Sequence, residues 1–187
     1  PLGLSRTTHL PPHGGPGGHG MKAELGAAQR DVDDLGMGNA DGATPRPIVS
    51  KVMEAARDHR NHRYSQSRGI PKLRLEITRR YKRNYDVDLD PDTEAIVTIG
   101  AKDSLAHLLF AVIGPGDEVV SPNPAYPIHQ YGVIMAEGQA CMLPMPDTAT
   151  FLRGLEDHYR KAASKPKLLL NSMPHNPTTP TVDRDFF

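Results

Sequence analysis

The fold is decided by the stretch from Glu94 to Pro127, which reads EAIVTIGAKDSLAHLLFAVIGPGDEVVSPNPAYP. It opens with a β-branched run at 94–99, which is typical of a strand, and a glycine ends that run. Residues 101–113 carry leucine and valine at helical spacing, and a Gly-Pro-Gly-Asp turn leads into an apolar strand at 118–121. The order strand, helix, strand predicts a βαβ unit and a parallel sheet.

The flanking sequence continues this alternation. We predict helices at 21–30, 47–59, from Pro71 onward, 128–137 and 151–163, and strands at 139–143 and 167–171. The sequence therefore predicts an α/β fold with a mainly parallel sheet. Residues 1–20 are rich in Pro, Gly and His and lack periodicity, so we predict a disordered arm there and a folded domain over 21–187. His9, His13 and His19 of the arm could bind a metal, but such tracts have no fixed geometry, and we predict no metal site.

Composition narrows the possible functions. The 22 basic and 22 acidic residues cancel, which argues against a nucleic-acid or anionic-membrane partner. No apolar run approaches the roughly 20 residues of a membrane span, and we expect no signal peptide. Cys141 is the sole cysteine, so no internal disulfide can form, and a reducing cytoplasmic setting is expected.

Three short stretches follow predicted strands and carry residue types suited to a cofactor. They are TIGAK at 98–102, PNPAYP at 122–127 and PHNPT at 174–178. Open α/β sheets bind ligands at the carboxyl ends of their strands, where these stretches are expected to lie. Each of the last two contains an Asn-Pro bond in a sharp turn, and we predict that both bonds, Asn123–Pro124 and Asn176–Pro177, are cis.

Each stretch has a functional and a purely structural interpretation. The N–H groups of Ala101 and Lys102 at a helix start suit a phosphate, although most strand–glycine–helix turns bind nothing. Tyr126 is held between prolines and can stack on a flat ring or simply pack over the sheet end. Asn176 can donate to a phenolate oxygen and to a substrate carboxylate, or merely initiate a turn.

Two further stretches make a family resemblance specific. They read LGMGNADG at 35–42 and YSQSRGI at 64–70. Together with the three turns, they resemble the class I/II, fold-type I pyridoxal-phosphate aminotransferases, of the kind that includes alanine and LL-diaminopimelate aminotransferases. The resemblance covers about residues 21–187. It implies the N-terminal part of a three-layer αβα large domain, and transfer of an amino group between an alanine- or glutamate-like amino acid and a 2-oxo acid.

The resemblance also implies a cofactor, pyridoxal 5'-phosphate, and a set of site residues. The backbone of Ala101 and Lys102 would bind the phosphate, and Tyr126 would stack on the pyridine ring. Asn176 would bond the ring hydroxyl and contact the substrate. The family is homodimeric, so Tyr64 would reach the phosphate of a neighbouring subunit, and Gly38 would lie against the substrate.

The sequence also departs from the family pattern. Ala40 stands where a proline is usual, and the family's cofactor-binding lysine, pyridine-nitrogen acid and carboxylate-binding arginine lie beyond Phe187. We therefore expect no catalytic residue within this chain and no covalent attachment of the cofactor to its lysines. The alternative is a truncated, catalytically inactive fragment with only a binding or interaction role. Because a parallel sheet needs both faces covered, we also expect the isolated chain to be unstable or self-associating.

Overall fold

The computed structural model describes residues 10, 15–28, 30–31 and 41–187. These residues fall into two compact units, one within 11–67 and one formed by Leu10 with Arg68–Phe187. The first unit contains helix α1 (Gly15–Ala27), helix α2 (Arg46–Arg57) and a short 3-10 helix (His59–Asn61). A proline lies in the first turn of α2, where its missing N–H group removes no helical hydrogen bond.

Helix α1 differs from its predicted bounds. It begins at Gly15 rather than at Met21, so residues 15–20 of the predicted disordered arm are helical. The strong helix formers lie in the second half of α1. The first half is rich in glycine, a poor helix former, so composition did not predict that the helix would begin there. Apart from Leu10, the rest of the predicted arm, with His9 and His13, lies outside the described residues.

The second unit contains the predicted alternation of helices and strands. Its elements are α3 (Pro71–Tyr85), α4 (Ala101–Val112), β1 (Glu118–Asn123), α5 (Pro127–Met135), β2 (Gln139–Pro144), α6 (Thr148–Lys161), β3 (Leu168–Leu169) and a 3-10 turn (Arg184–Phe186). Local signals explain several of these bounds. Pro71 opens α3, and the Asp147 carboxylate caps α6 by accepting the Thr150 N–H at 2.7 Å.

The three described strands form one parallel sheet in the order β2-β1-β3. Val119 of β1 is buried with Leu109 of α4 and Val133 of α5, so these helices cover one face. The next residue, Val120, lines a groove with Leu152 of α6, and successive strand residues point to opposite faces. Helices therefore lie on both faces of the sheet, which confirms the predicted α/β class.

The predicted strand at Glu94–Ile99 is wrong. It forms no strand, because the Val97 N–H bonds to Arg68 O at 3.2 Å and the Ile99 N–H bonds to the Asp103 carboxylate at 3.1 Å. Ile96 and Ile99 are 64% and 95% exposed. β-Branched residues favour an extended backbone, but a strand also needs a ladder partner, and no described segment provides one here.

The predicted strand at 167–171 is shorter than expected. Only Leu168 and Leu169 form β3, which pairs with Val119 and Val120 of β1. Nearby backbone contacts at Lys167 and Leu170 continue the association with β1 at 2.8 and 2.9 Å. Within the described part of the chain, no helix combines the length and the apolar character needed to cross a bilayer.

Candidate functional site

A pocket of 420 Å³ lies at the start of α4. It is lined by Ile99, Gly100, Ala101, Lys102, Leu105, Tyr126, Ile128 and His129. Its volume falls within the range of about 300 to 1,000 Å³ that is usual for small-molecule sites. Two of the three stretches singled out from the sequence therefore meet at one pocket, and they bring Ala101, Lys102 and Tyr126 together.

The N-terminus of α4 forms one wall of this pocket. Gly100 precedes the helix at φ 87° and ψ 165°, a backbone conformation that favours glycine. The first backbone bond of the helix runs from the Ser104 N–H to Gly100 O at 3.2 Å, so the preceding N–H groups have no intrahelical acceptor. No heavy atom lies within 4 Å of the position that a Cβ on Gly100 would take. This open turn with free N–H groups suits an anion.

The charged side chains around the turn partly offset one another. The Lys102 ammonium lies 5.3 Å from the centroid of the Tyr126 ring, a cation–π contact. The Asp103 carboxylate accepts the Ile99 N–H at 3.1 Å and pairs with His107 Nδ1 at 3.0 Å. These contacts hold the Asp103 carboxylate against the Ile99 N–H and His107.

The second and third stretches are joined by a histidine. His175 is buried, and its Nε2 lies 2.7 Å from Pro124 O. Its backbone also closes the third turn, because its N–H donates to Pro180 O at 2.9 Å and its carbonyl accepts the Thr179 N–H at 2.7 Å. His175 therefore makes a positioning contact between the two turns.

The predicted cis bonds are confirmed. Asn123–Pro124 and Asn176–Pro177 are both cis, and Met173–Pro174 is a third cis bond that the sequence did not predict.

The remaining predicted site residues lie elsewhere. Asn176 is exposed and does not line the pocket, although it directly follows His175. Tyr64 is fully exposed and belongs to the other compact unit. Gly38 lies outside the described residues. The pocket itself therefore contains Ala101, Lys102 and Tyr126 from the predicted set.

Sequence reasoning missed His129, which lines the pocket. Its ring packs edge-on to Tyr126 with centroids 6.4 Å apart, and its Nδ1 is buried without a hydrogen-bond partner among the described residues. Burial, with a smaller contribution from His175, lowers the pKa of His129 from its ordinary value of 6.5. The imidazole is therefore neutral at pH 7. Its position three residues after Tyr126 at a helix start was the signal that would have placed it there.

Comparison with known proteins identifies relatives along nearly the whole chain. The model of the family "Aminotransferase class I and II" matches residues 30–186. Glutamate-pyruvate aminotransferase AlaC of Escherichia coli is 44% identical, over 98% of this chain and 45% of its own length. LL-diaminopimelate aminotransferase of Aquifex aeolicus is 39% identical, over 84% of this chain and 41% of its own length. The chain thus spans less than half the length of these curated relatives.

Solved structures give the same result for the fold. Aspartate aminotransferase of Thermotoga maritima superposes with a TM-score of 0.82 at 30% identity, over 97% of this chain and 48% of that one. Aspartate aminotransferase of Rhizobium meliloti gives a TM-score of 0.85 at 23% identity, over 97% of this chain and 45% of that one. The architecture is therefore that of the N-terminal half of an aminotransferase chain.

Proposed function

Because the chain belongs to the class I and II aminotransferases, we propose that it forms the cofactor-binding part of an enzyme that transfers an amino group from an amino acid to a 2-oxo acid. The amino acid is alanine- or glutamate-like, as the name of the Escherichia coli relative indicates for that protein. The observation that carries the proposal is the convergence of Ala101, Lys102 and Tyr126 in one pocket.

The chemistry of this pocket fits pyridoxal 5'-phosphate. Free N–H groups and an ammonium suit a phosphate, and a tyrosine ring suits a flat pyridine. The buried His129 Nδ1, which has no partner among the described residues, is a polar atom at the same wall. When bound, pyridoxal phosphate supplies an electron sink for bond cleavage at the amino acid's α-carbon.

The site residues named so far have distinct roles in this proposal. The N–H groups of Ala101 and Lys102 bind the phosphate, and Tyr126 packs against the pyridine ring. Asn176, which lies outside the lining of the pocket, would donate to the ring hydroxyl oxygen and to the substrate carboxylate from the turn that follows His175. His175 holds the turn of Asn176 beside the turn of Tyr126 through its 2.7 Å contact with Pro124 O.

We also propose that the working enzyme is a cytoplasmic homodimer. Tyr64 would contribute its hydroxyl to the phosphate of the neighbouring subunit. Its full exposure within this chain leaves the hydroxyl accessible to such a partner. The sole cysteine is compatible with a reducing compartment.

Tyrosine variants of the chain test the ring-stacking task. Pyridoxal phosphate and inorganic phosphate are titrated separately into the wild type, Tyr126→Ala and Tyr159→Ala. Tyr159 is a matched control, since Lys165 Nζ lies 4.7 Å above its ring in the same kind of contact that Lys102 makes with Tyr126.

Tyr126→Ala should weaken the binding of pyridoxal phosphate roughly 3- to 10-fold, since aromatic stacking contributes about 0.5–1.5 kcal/mol. Its affinity for inorganic phosphate should not change, because phosphate has no ring. Tyr159→Ala should change neither affinity. Equal effects of the two variants on pyridoxal phosphate would contradict the assigned stacking role.

A chimera tests the reaction itself. Residues 21–187 replace the matching part of the Escherichia coli relative, whose remaining half supplies the rest of the enzyme. We expect alanine-dependent formation of pyruvate with 2-oxoglutarate as the amino acceptor, and a slower reaction when Asn176→Ala is introduced. A folded chimera that binds the cofactor and transfers no amino group from any amino acid would refute the proposed activity.

A further inference from the structure

Three half-buried side chains form a cluster on the face of the sheet that α6 covers. Glu118 opens β1, Cys141 lies in β2 and His158 lies in the last turn of α6. Glu118 shares a face with Val120, and Val120 pairs in register with Cys141, so both side chains meet α6. The cluster lies near the amino end of β1, whereas the pocket beside Tyr126 follows the carboxyl end of that strand.

The contacts within this cluster fix the orientation of the imidazole. His158 Nε2 lies 2.7 Å from Glu118 Oε1, and His158 Nδ1 lies 3.8 Å from Cys141 Sγ. A carboxylate can only accept a hydrogen bond, so Nε2 of the neutral ring carries the proton. Nδ1 therefore faces the thiol with its lone pair.

This arrangement has the geometry of a thiolate–imidazole chelate. Zinc–sulfur and zinc–nitrogen bonds of about 2.3 and 2.0–2.1 Å at a tetrahedral angle separate the two ligand atoms by about 3.6 Å, close to the 3.8 Å observed. Histidines that bind metals usually donate their second N–H group to a carboxylate, as His158 does to Glu118. The ligand atoms of all three side chains lie within 4.8 Å of one another.

We propose that Cys141 Sγ and His158 Nδ1 bind a zinc-type divalent ion, with Glu118 as the positioning residue for the imidazole. On binding, the S–H bond breaks, its proton passes to water, and the thiolate bonds to the metal. The imidazole keeps its tautomer, and water fills the other coordination positions. The ion links α6 to the first two strands and is independent of the proposed cofactor site.

A nucleophilic role for the same cysteine is disfavoured. Burial, with a smaller contribution from the Glu118 charge, raises the pKa of the Cys141 thiol. A protonated thiol is a poor nucleophile, and a metal ion has to displace the same proton before the sulfur can bind it. The His158 and Glu118 side chains are 26% and 23% exposed and Cys141 is partly buried, so a hydrated ion can reach them from solvent.

Cobalt absorption tests the proposal on the full 187-residue chain. Co²⁺ is titrated into the chain, and the near-ultraviolet charge-transfer band of a cobalt–thiolate bond is recorded. Cys141 is the sole cysteine, so this band reports the cluster alone, and histidines such as His9, His13 and His19 cannot produce it. Zn²⁺ should displace cobalt, abolish the band and slow alkylation of the thiol by iodoacetamide.

Three variants separate the contributions of the cluster. His158→Gln should abolish saturable cobalt binding with a thiolate band, and Glu118→Gln should weaken binding about 10- to 100-fold, as usual for carboxylates behind a metal-bound histidine. His107→Gln is the control, because His107 also pairs with a carboxylate, that of Asp103 at 3.0 Å, but has no thiol partner. It should bind cobalt as the wild type does.

Circular dichroism of each variant verifies folding. The wild-type titration decides the question even if a variant fails to fold. No thiolate band in the folded wild type would overturn the proposal, as would an unchanged band in folded His158→Gln.

Discussion

Replacing Gly100 with alanine tests the backbone turn on which the proposed phosphate site depends. Gly100 has φ 87° and ψ 165°, a region that residues with a Cβ rarely adopt. The added methyl group would meet no heavy atom within 4 Å. The cost of Gly100→Ala is therefore a backbone cost alone, of about 1–3 kcal/mol.

Gly154 provides a matched control within α6. It too has no heavy atom within 4 Å of an added Cβ, but its φ is not in the left-handed region. Gly154→Ala should stabilise the chain by roughly 0.5–1 kcal/mol, because alanine is the better helix former. Both changes reduce the conformational freedom of the unfolded chain equally, so this effect cancels in their difference. That difference should therefore be about 1–3 kcal/mol, the backbone cost at Gly100 alone.

Urea unfolding followed by circular dichroism measures both variants. The midpoint should fall for Gly100→Ala and rise for Gly154→Ala, and the slopes should match if the denatured state is unchanged. Gly100→Ala should also weaken the binding of inorganic phosphate. The backbone would shift to relieve the strain at residue 100, and this shift would move the N–H groups of the turn. Equal midpoints for the two variants would refute the conformation assigned to Gly100.

Other perturbations test the buried histidine, the lysines and the exposed apolar surface. The pKa of His129 is lowered in the folded chain, so the unfolded state binds more protons, and stability should fall as the pH drops through about 6.5. Urea midpoints measured between about pH 8 and 5.5 should depend less on pH in His129→Gln than in the wild type. The control variant His59→Gln, at an exposed position, should keep the wild-type pH dependence. The family resemblance assigns the cofactor-binding lysine to none of the lysines in residues 21–187, so borohydride reduction with pyridoxal phosphate followed by peptide mapping should show no stoichiometric label on any single lysine, and one stoichiometrically labelled lysine would contradict this. The 530 Å³ apolar groove beside α6 and β3 should make the isolated chain self-associate in sedimentation and bind a hydrophobic dye, and a monodisperse monomer without dye binding would contradict this.

Local signals in the sequence predicted much of the fold. Pro71 opens a helix as predicted, and Gly100 separates an extended run from the helix that starts at Ala101. These features depend on residues close together in the chain, where proline and glycine restrict or extend the backbone choices.

Features that depend on distant partners were missed. The run at Glu94–Ile99 has the composition of a strand, but its backbone bonds go to Arg68 and Asp103 rather than to a ladder. Composition reports the preference for an extended backbone and cannot report whether a partner strand is adjacent.

The candidate sites divide in the same way. Ala101, Lys102 and Tyr126 were recognised because their short motifs resemble a known family, and the pocket brings them together. Glu118 and His158 carry no local motif, because they meet only when α6 packs against the sheet face on which Glu118 lies.

The most direct test of the central claim is the binding of inorganic phosphate and pyridoxal phosphate to two isoleucine variants of α4. Ala101→Ile places a branched side chain at the first residue of the helix, where the anion must approach the backbone. Ala111→Ile makes the same change at an exposed position near the other end of that helix. In Ala101→Ile, the loss of charge-assisted hydrogen bonds of about 1.5–3 kcal/mol should weaken the binding of both ligands roughly 10- to 100-fold. In Ala111→Ile, the binding of neither ligand should change. Equal affinities of the wild type and Ala101→Ile would contradict the claim, because the anion would then bind elsewhere.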